Sequence, residues 1–252
     1  MDDHKLGKTP ARPDAITLKF SAILEITKLP KPPVKFGHYA VGRQWGVLGN
    51  DKYGDCVWAG AAHETMVWTR EAGTVAAVFR TVDVLSDYSA QTGFDPSKPD
   101  TDQGTDMQEA ASYRRRTGIL DATGKRHLID AYADLKPGNL DQIASAAYVM
   151  GAVGIGFQLP TSAMDQFDAL EPWDVVSNSH IEGGHYVPLI GRNSLGNYLV
   201  VTWGRLQAVT PRFIVKFMDE GAVYLSIEPL KNKVSPEGFD EAALQQFLSS
   251  LH

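Results

Sequence analysis

The chain has 252 residues, 43% of them hydrophobic and 21% charged, with a formal net charge of −6. That length carries one large domain or two lobes with a real core, and an acidic balance without a basic stripe argues against a nucleic-acid binder. No stretch approaches the ~18 apolar residues of a membrane span. Met1 to Lys8 is polar and lacks the apolar core of a signal peptide. With Cys56 as the single cysteine there is no internal disulfide, which favours a reducing compartment; the expected localisation is cytoplasmic or virion-associated.

Residues 1–35 read as an extended arm, punctuated by Pro10, Pro13, Pro30, Pro32 and Pro33, since proline lacks the N–H that helices and central strands need. The arm is too short and too proline-rich to read as an inhibitory propeptide. Asp55 to Gly73 is predicted helical from Trp58, Ala61, Ala62, Thr65 and Met66 at i, i+3, i+4, i+7 and i+8, with Gly73 as terminator. Thr81 to Thr92 is a second predicted helix and Met107 to Arg116 a third. Between them, Phe94 to Asp106 is a turn-rich acidic loop that misses the EF-hand ligand order. Arg114-Arg115-Arg116 reads as a solvated helix face.

After Gly138 the texture changes. Leu140 to Met150 is predicted helical with Asn139 as N-cap. Short β-branched or aromatic strands then follow at Val153–Leu159, His185–Gly191, Asn197–Trp203, Phe213–Phe217 and Ala222–Ile227. Helices first and strands later imply an α+β protein with a helical lobe, about 50–135, and a sheet lobe, about 136–228, in a domain spanning 36–228. A C-terminal extension, 229–252, carries a predicted amphipathic helix from Phe239 to Leu251.

Cys56 falls at the first turn of the first strong helix, where unpaired N–H groups and the helix dipole favour a thiolate. The preceding loop, Gly49-Asn50-Asp51-Lys52-Tyr53-Gly54-Asp55, can bring backbone and an amide side chain close to a bound carbonyl. These residues alone leave open an inert packed thiol behind a helix cap formed by Asp55. His185 follows Gly183-Gly184 and opens an apolar strand, a position open to substrate and mobile enough for proton transfer. The combination of a helix-start Cys, a strand-start His and a later strand ending in Trp203-Gly204 is more specific than any of them alone.

The segment Trp45 to Ala62, with its Gly-Asn-x-x-x-Gly-Asp-Cys core, resembles the active-site region of papain-like cysteine peptidases, of a divergent bacterial or phage type. His185 follows Cys56 by about 130 positions, as in that family. Tyr198 to Gly204 is similar to the family's strand ending in Asn-Ser-Trp-Gly, and Asp102-Gln103-Gly104-Thr105-Asp106 to its substrate-groove loop. The resemblance covers roughly Lys35 to Ile227 and implies a two-lobed papain-like fold. It implies Cys56 as nucleophile, His185 as base, and Asn50 at the oxyanion-hole glutamine position. It also implies Trp203 shielding the histidine, and Gly104 and Gly184 lining the substrate cleft.

Three positions depart from the family pattern. Val201 stands where an Asn orients the histidine, and Thr202, its strand neighbour, is expected to point to the opposite face. Val57 replaces the aromatic after the nucleophile. Asp55 sets a carboxylate beside the thiol, which would oppose thiolate formation. The expected function is a cofactor-free cysteine hydrolase, a peptidase working through a Cys–His dyad and an acyl-thioester. An inactive binding or structural module, such as a virion or assembly component, and a cell-wall peptide amidase are the alternatives. The expected partner is a peptide or protein substrate, without nucleic acid or membrane, and self-association would run through the arm or the C-terminal helix. His63 lies roughly 10 Å along the helix from Cys56, too far to be its base. His180, Glu182 and His185 lack the spacing of a metal site, and Gly151 to Gly156 follows a helix rather than the strand a dinucleotide loop requires.

Overall fold

The structure, a computed structural model, describes residues 4–23, 31–37, 44–72, 75–226 and 242. The predicted C-terminal helix, apart from Ala242, lies outside the described residues, as do Gly73 and Ile227. A short helix α1 (Phe20–Ile23) and a two-residue strand β1 (Phe36–Gly37) precede three longer helices, α2 (Cys56–Glu71), α3 (Thr81–Thr92) and α4 (Met107–Arg116). A small hairpin, β2 (Ile119–Leu120) and β3 (Arg126–His127), leads to β4 (Ala131–Asp134), α5 (Leu140–Met150), β5 (Val153–Pro160) and α6 (Thr161–Asp168). Then come β6 (Ile181–Arg192), β7 (Tyr198–Thr202), β8 (Arg205–Val209), α7 (Pro211–Phe217) and β9 (Met218–Leu225). The main sheet is antiparallel in the order β4-β9-β5-β6-β7-β8, with β1 added to β6.

Strand alternation divides the interior into two cores. Along β6, Val187 and Leu189 join a core with α5 and α7, including Ile143, Ala147 and Phe213. Tyr186 and Ile190 point the other way, into a core built with α2, α3 and α4 around Trp58, Val67, Tyr88 and Met107. The molecule is therefore α+β, with a helical lobe on one side of the sheet's centre and a sheet-based lobe on the other.

The helix α2 lies unusually close to β6 because its sequence is small where the two meet. A Cβ on Gly60 would stand 2.4 Å from Cε1 of Tyr186, and one on Gly154 would stand 2.3 Å from its hydroxyl. The Tyr186 hydroxyl donates to Glu64, and Glu64 pairs with Arg114 at 2.8 Å. Arg114 also lies over the Tyr224 ring, 4.2 Å from its centroid. Arg114 is thus buried, a correction to the solvated face predicted for Arg114–Arg116; only Arg115 and Arg116 are exposed. A buried guanidinium at that position needs the carboxylate that Glu64 supplies.

A second correction concerns Phe213–Phe217, predicted as a strand and found within helix α7. Thr210 caps that helix by accepting from the Phe213 N–H (3.2 Å), and Pro211 opens it, a Thr-Pro start that apolar content alone hides.

Candidate active site

The close seating of α2 on β6 puts Cys56, the first residue of α2, against the middle of β6; His185 is the fifth residue of that strand, not its opening as expected, because the pairing with β5 runs back through Gly183 and Gly184 to Ile181. The backbones of Tyr186, the residue after His185, and of Gly7 lie beside the Cys56 thiol and favour its charged form. It is 2% exposed. Burial, with the neighbouring Asp55, pushes the thiol up to about 12 against those backbone contacts. Asp55 does not cap α2 through its side chain, contrary to the cap considered from sequence. Its carboxyl is sealed inside, and burial drives it well above the usual carboxylate range.

His185 is fully buried rather than open and mobile. Its Nε2 lies 2.7 Å from Oγ1 of Thr202, and its ring stacks on Trp203 at 4.6 Å and 20°. On the other side of Trp203, His4 stacks at 4.5 Å. Desolvation, with His4 nearby, pulls the imidazole down to about 3. The Nδ1 nitrogen is buried without a protein hydrogen-bond partner. The reach of Thr202 corrects the expectation that it points away. Val201 packs in the helical core and Val200 in the sheet core, so alternation sends Thr202 to the face of Val200, which is also that of His185, Val187 and Leu189. The residue that reaches the ring is thus one position after Val201, the position the resemblance pointed to.

The cleft is filled by the chain's own N-terminal arm, which was read from sequence as no inhibitory segment. The Lys5 N–H donates to the Asn50 carbonyl (3.1 Å). The Lys5 carbonyl accepts from Asn50 Nδ2 (3.2 Å) and Trp203 Nε1 (3.3 Å). The Gly184 carbonyl accepts from Gly7 and Lys8 N–H groups (3.2 and 3.0 Å). Thr105 N–H donates to the Gly7 carbonyl (2.7 Å), and the Thr105 carbonyl accepts from the Thr9 N–H (3.1 Å). Glycines make this approach possible. A Cβ would stand 1.9 Å from the Gly54 oxygen if placed on Gly7, 2.2 Å from the Gly7 oxygen if on Gly104, and 2.1 Å from the Lys8 oxygen if on Gly184.

The strap, Lys5 to Thr9, thus passes Cys56, Asn50, Gly104, Gly184 and Trp203, while the His185 ring reaches this group only through its stack on Trp203. The acidic loop has a supporting part: Asp102 accepts from the Gly54 N–H (3.1 and 3.0 Å) and from the Tyr88 hydroxyl (2.5 Å), which ties the loop before Cys56 to the groove wall. Sequence reading placed Asp102 in the groove loop without its contact to Gly54, turned Thr202 away from the ring, and did not foresee where the arm sits; Gly7, Gly54, Gly104 and Gly184 together were the available signal for a close backbone passage. His180 and Glu182 are exposed, away from buried His185. Among the described residues, no group of His, Cys, Asp and Glu is arranged to hold a metal, and no helix is long and apolar enough to cross a membrane.

A helical core and an antiparallel sheet that meet where the first residue of α2 packs on β6 define the papain-like fold. Solved structures agree. Xylellain, a cysteine protease from Xylella fastidiosa, superposes with a TM-score of 0.59 at 14% identity, covering 89% of this chain and 97% of that one. Procathepsin B S9 from Trypanosoma congolense gives 0.60 at 12%, covering 89% and 87%. The Carica candamarcensis cysteine protease CMS1MS2, solved in complex with E-64, gives 0.57 at 10%, covering 77% and 99%. Identities this low show the fold alone. No family model and no curated protein sequence matches the chain.

Proposed function

We propose that the chain is a cysteine hydrolase of peptides, held closed by its own arm in the form described. The observation that carries this reading is the extended strap whose Gly7 backbone meets the Cys56 thiol while its neighbours pair with Gly184 and Thr105. A groove that binds one extended peptide by its main chain beside a thiol suits another.

In the open form, His185 takes the thiol proton. The thiolate attacks a peptide carbonyl carbon, a C–S bond forms, and the carbonyl electrons move to oxygen. Asn50 Nδ2, which here donates to the Lys5 carbonyl of the strap (3.2 Å), and the Cys56 N–H receive that oxyanion in this reading, a contribution of about 3 kcal/mol. Collapse breaks the C–N bond as the imidazolium protonates the leaving amine, and water then cleaves the acyl-thioester. For Nδ1 to accept the thiol proton, Nε2 must carry one and donate it to Thr202 Oγ1, a role a hydroxyl can take. That leaves Thr202 as the orienting group that Val201 cannot be. In the closed form both partners are neutral, since burial raises the thiol and lowers the imidazole, so the arm silences the pair as well as covering it.

The neutral, sealed thiol also favours a second reading, an inert module that keeps the fold without the chemistry. Mapping the adducts of an epoxide or iodoacetamide probe near neutral pH separates the two. Fast Cys56 labelling that His185→Ala abolishes, together with peptide hydrolysis lost in Cys56→Ala, supports the hydrolase. Labelling at the rate of an ordinary thiol, indifferent to His185→Ala, makes the chain a module.

A further inference from the structure

Gly7 is the strap residue whose backbone lies beside the Cys56 thiol, and both walls of the cleft hold it. Its N–H donates to the Gly184 carbonyl (3.2 Å), and its carbonyl accepts from the Thr105 N–H (2.7 Å). With donor and acceptor both engaged, a side chain here would run into backbone. A Cβ on Gly7 would stand 1.9 Å from the Gly54 oxygen, 2.2 Å from its carbonyl carbon and 2.4 Å from its Cα. A main-chain wall cannot swing aside as the end of a flexible side chain can. The demand comes from that wall and not from a left-handed backbone, since the φ of Gly7 is not positive. The flanking positions do carry side chains: Leu6 packs against the sheet core, and that of Lys8 is 0% exposed.

The wall is also braced. The Gly54 N–H donates to both Asp102 oxygens (3.1 and 3.0 Å), and Asp102 accepts from the Tyr88 hydroxyl (2.5 Å). That hydroxyl accepts in turn from the Gly104 N–H (3.0 Å). Tyr88 is fully buried and stacks on Phe94 at 4.7 Å. This run of bonds joins Gly54 to Gly104, whose own Cβ would stand 2.2 Å from the Gly7 oxygen. The two sides of the gap around Gly7 are therefore fixed relative to each other.

We propose that the cleft beside Cys56 is a glycine slot: a peptide substrate presents glycine at the thiol, and the Gly54 backbone turns away alanine and anything larger. This rests on the hydrolase reading and adds its substrate class, peptides with glycine at the bond attacked. Main-chain pairing at Gly184 and Thr105 accepts any sequence. The selection is by exclusion, a clash built against the wrong residue.

The test uses peptide chloromethyl ketones that differ only in carrying glycine, alanine or leucine next to the reactive group. They are applied to the full chain and to full-length Gly7→Val, with a thermal melt to verify folding. Mass spectrometry follows the Cys56 adduct over time, and each rate is divided by that of the same probe with glutathione. Each adduct is permanent, so the tethered strap slows all three probes by one factor and leaves their ratio. The glycine probe is expected to react roughly tenfold or more faster than the alanine probe, with leucine slowest. Equal rates, or a faster leucine probe, overturn the slot. So does a Gly7→Val chain whose Cys56 takes iodoacetamide and none of the peptide probes. His185→Ala separates this proposal from the reading beneath it. A glycine preference whose labelling His185→Ala abolishes supports both. Labelling that His185→Ala abolishes, without a glycine preference, sinks the slot and leaves the hydrolase. A glycine preference that persists undiminished in His185→Ala keeps the slot and sinks the hydrolase.

Discussion

Thr202 Oγ1 lies 2.7 Å from Nε2 of His185, at the end of a strand whose preceding residue, Val201, faces the other core. The hydroxyl engages Nε2 and leaves Nδ1 without a protein partner, the nitrogen that the proposed mechanism uses. Thr202→Val is expected to lower kcat for peptide hydrolysis roughly tenfold or more, as for loss of a positioned acid–base partner, with KM little changed. Thr202→Ser should retain most of the rate. A valine variant with unaltered kcat would remove Thr202 from the proposed machinery.

Gly7→Val should open the cleft. The added Cβ meets the Gly54 oxygen at 1.9 Å, and overpacking of this kind costs about 1–3 kcal/mol. The arm should therefore leave the groove more often. Iodoacetamide labelling of Cys56 is expected to rise about tenfold, followed by mass spectrometry over time. An unchanged rate would mean that the strap does not control access to the thiol.

The Glu64–Arg114 pair is sealed, with side chains 0% and 3% exposed. Arg114→Met should destabilise the fold by about 3–5 kcal/mol, because it leaves the carboxylate buried and unpaired. Adding Glu64→Leu should restore much of the loss. Urea melts of the two single variants and the double variant check this; additive losses would contradict it.

Buried His63 shares its Nε2 between the Trp45 and Gly46 carbonyls (3.1 and 3.0 Å), and burial brings it down to about 4. A lowered histidine contributes stability that is full above its unfolded value near 6.5 and is lost as pH falls toward the folded one, because the unfolded chain binds the proton first. The stability of the chain minus that of His63→Gln should fall by about 1.4 kcal/mol per pH unit from pH 6.5 downward. Subtraction cancels the other groups, including buried Asp55 and Glu64, whose raised values give the opposite sign. Urea melts at pH 7, 6 and 5 measure the difference, and a flat difference would show that His63 protonates equally in both states.

The helices were legible where period and caps coincide. Thr81–Thr92 and Met107–Arg116 carry the predicted bounds, and Asn139 caps α5 by accepting from the Gln142 N–H (3.2 Å). Phe213–Phe217 was illegible because five mostly apolar residues suit a strand or a helix equally, and the deciding signal lay in Thr210 and Pro211. Cys56 and His185 were found through their flanking glycines, and the structure sets them on adjoining elements. Thr202 was missed because a register borrowed from distant relatives overrode the chain's own alternation. The seat of the arm was illegible because proline content reports on local backbone freedom, while that seat depends on Gly54, Gly104 and Gly184, which lie 47 to 177 positions after Gly7.

The strap is tethered to the groove it fills, and that has a practical consequence for assays. A linked occupant competes at an effective concentration on the order of millimolar, whatever the amount of protein in the tube. Dilution will not unmask the thiol, and a free peptide of micromolar affinity will lose to the strap at ordinary assay concentrations. Absence of turnover in a first screen would therefore measure the tether rather than the chemistry.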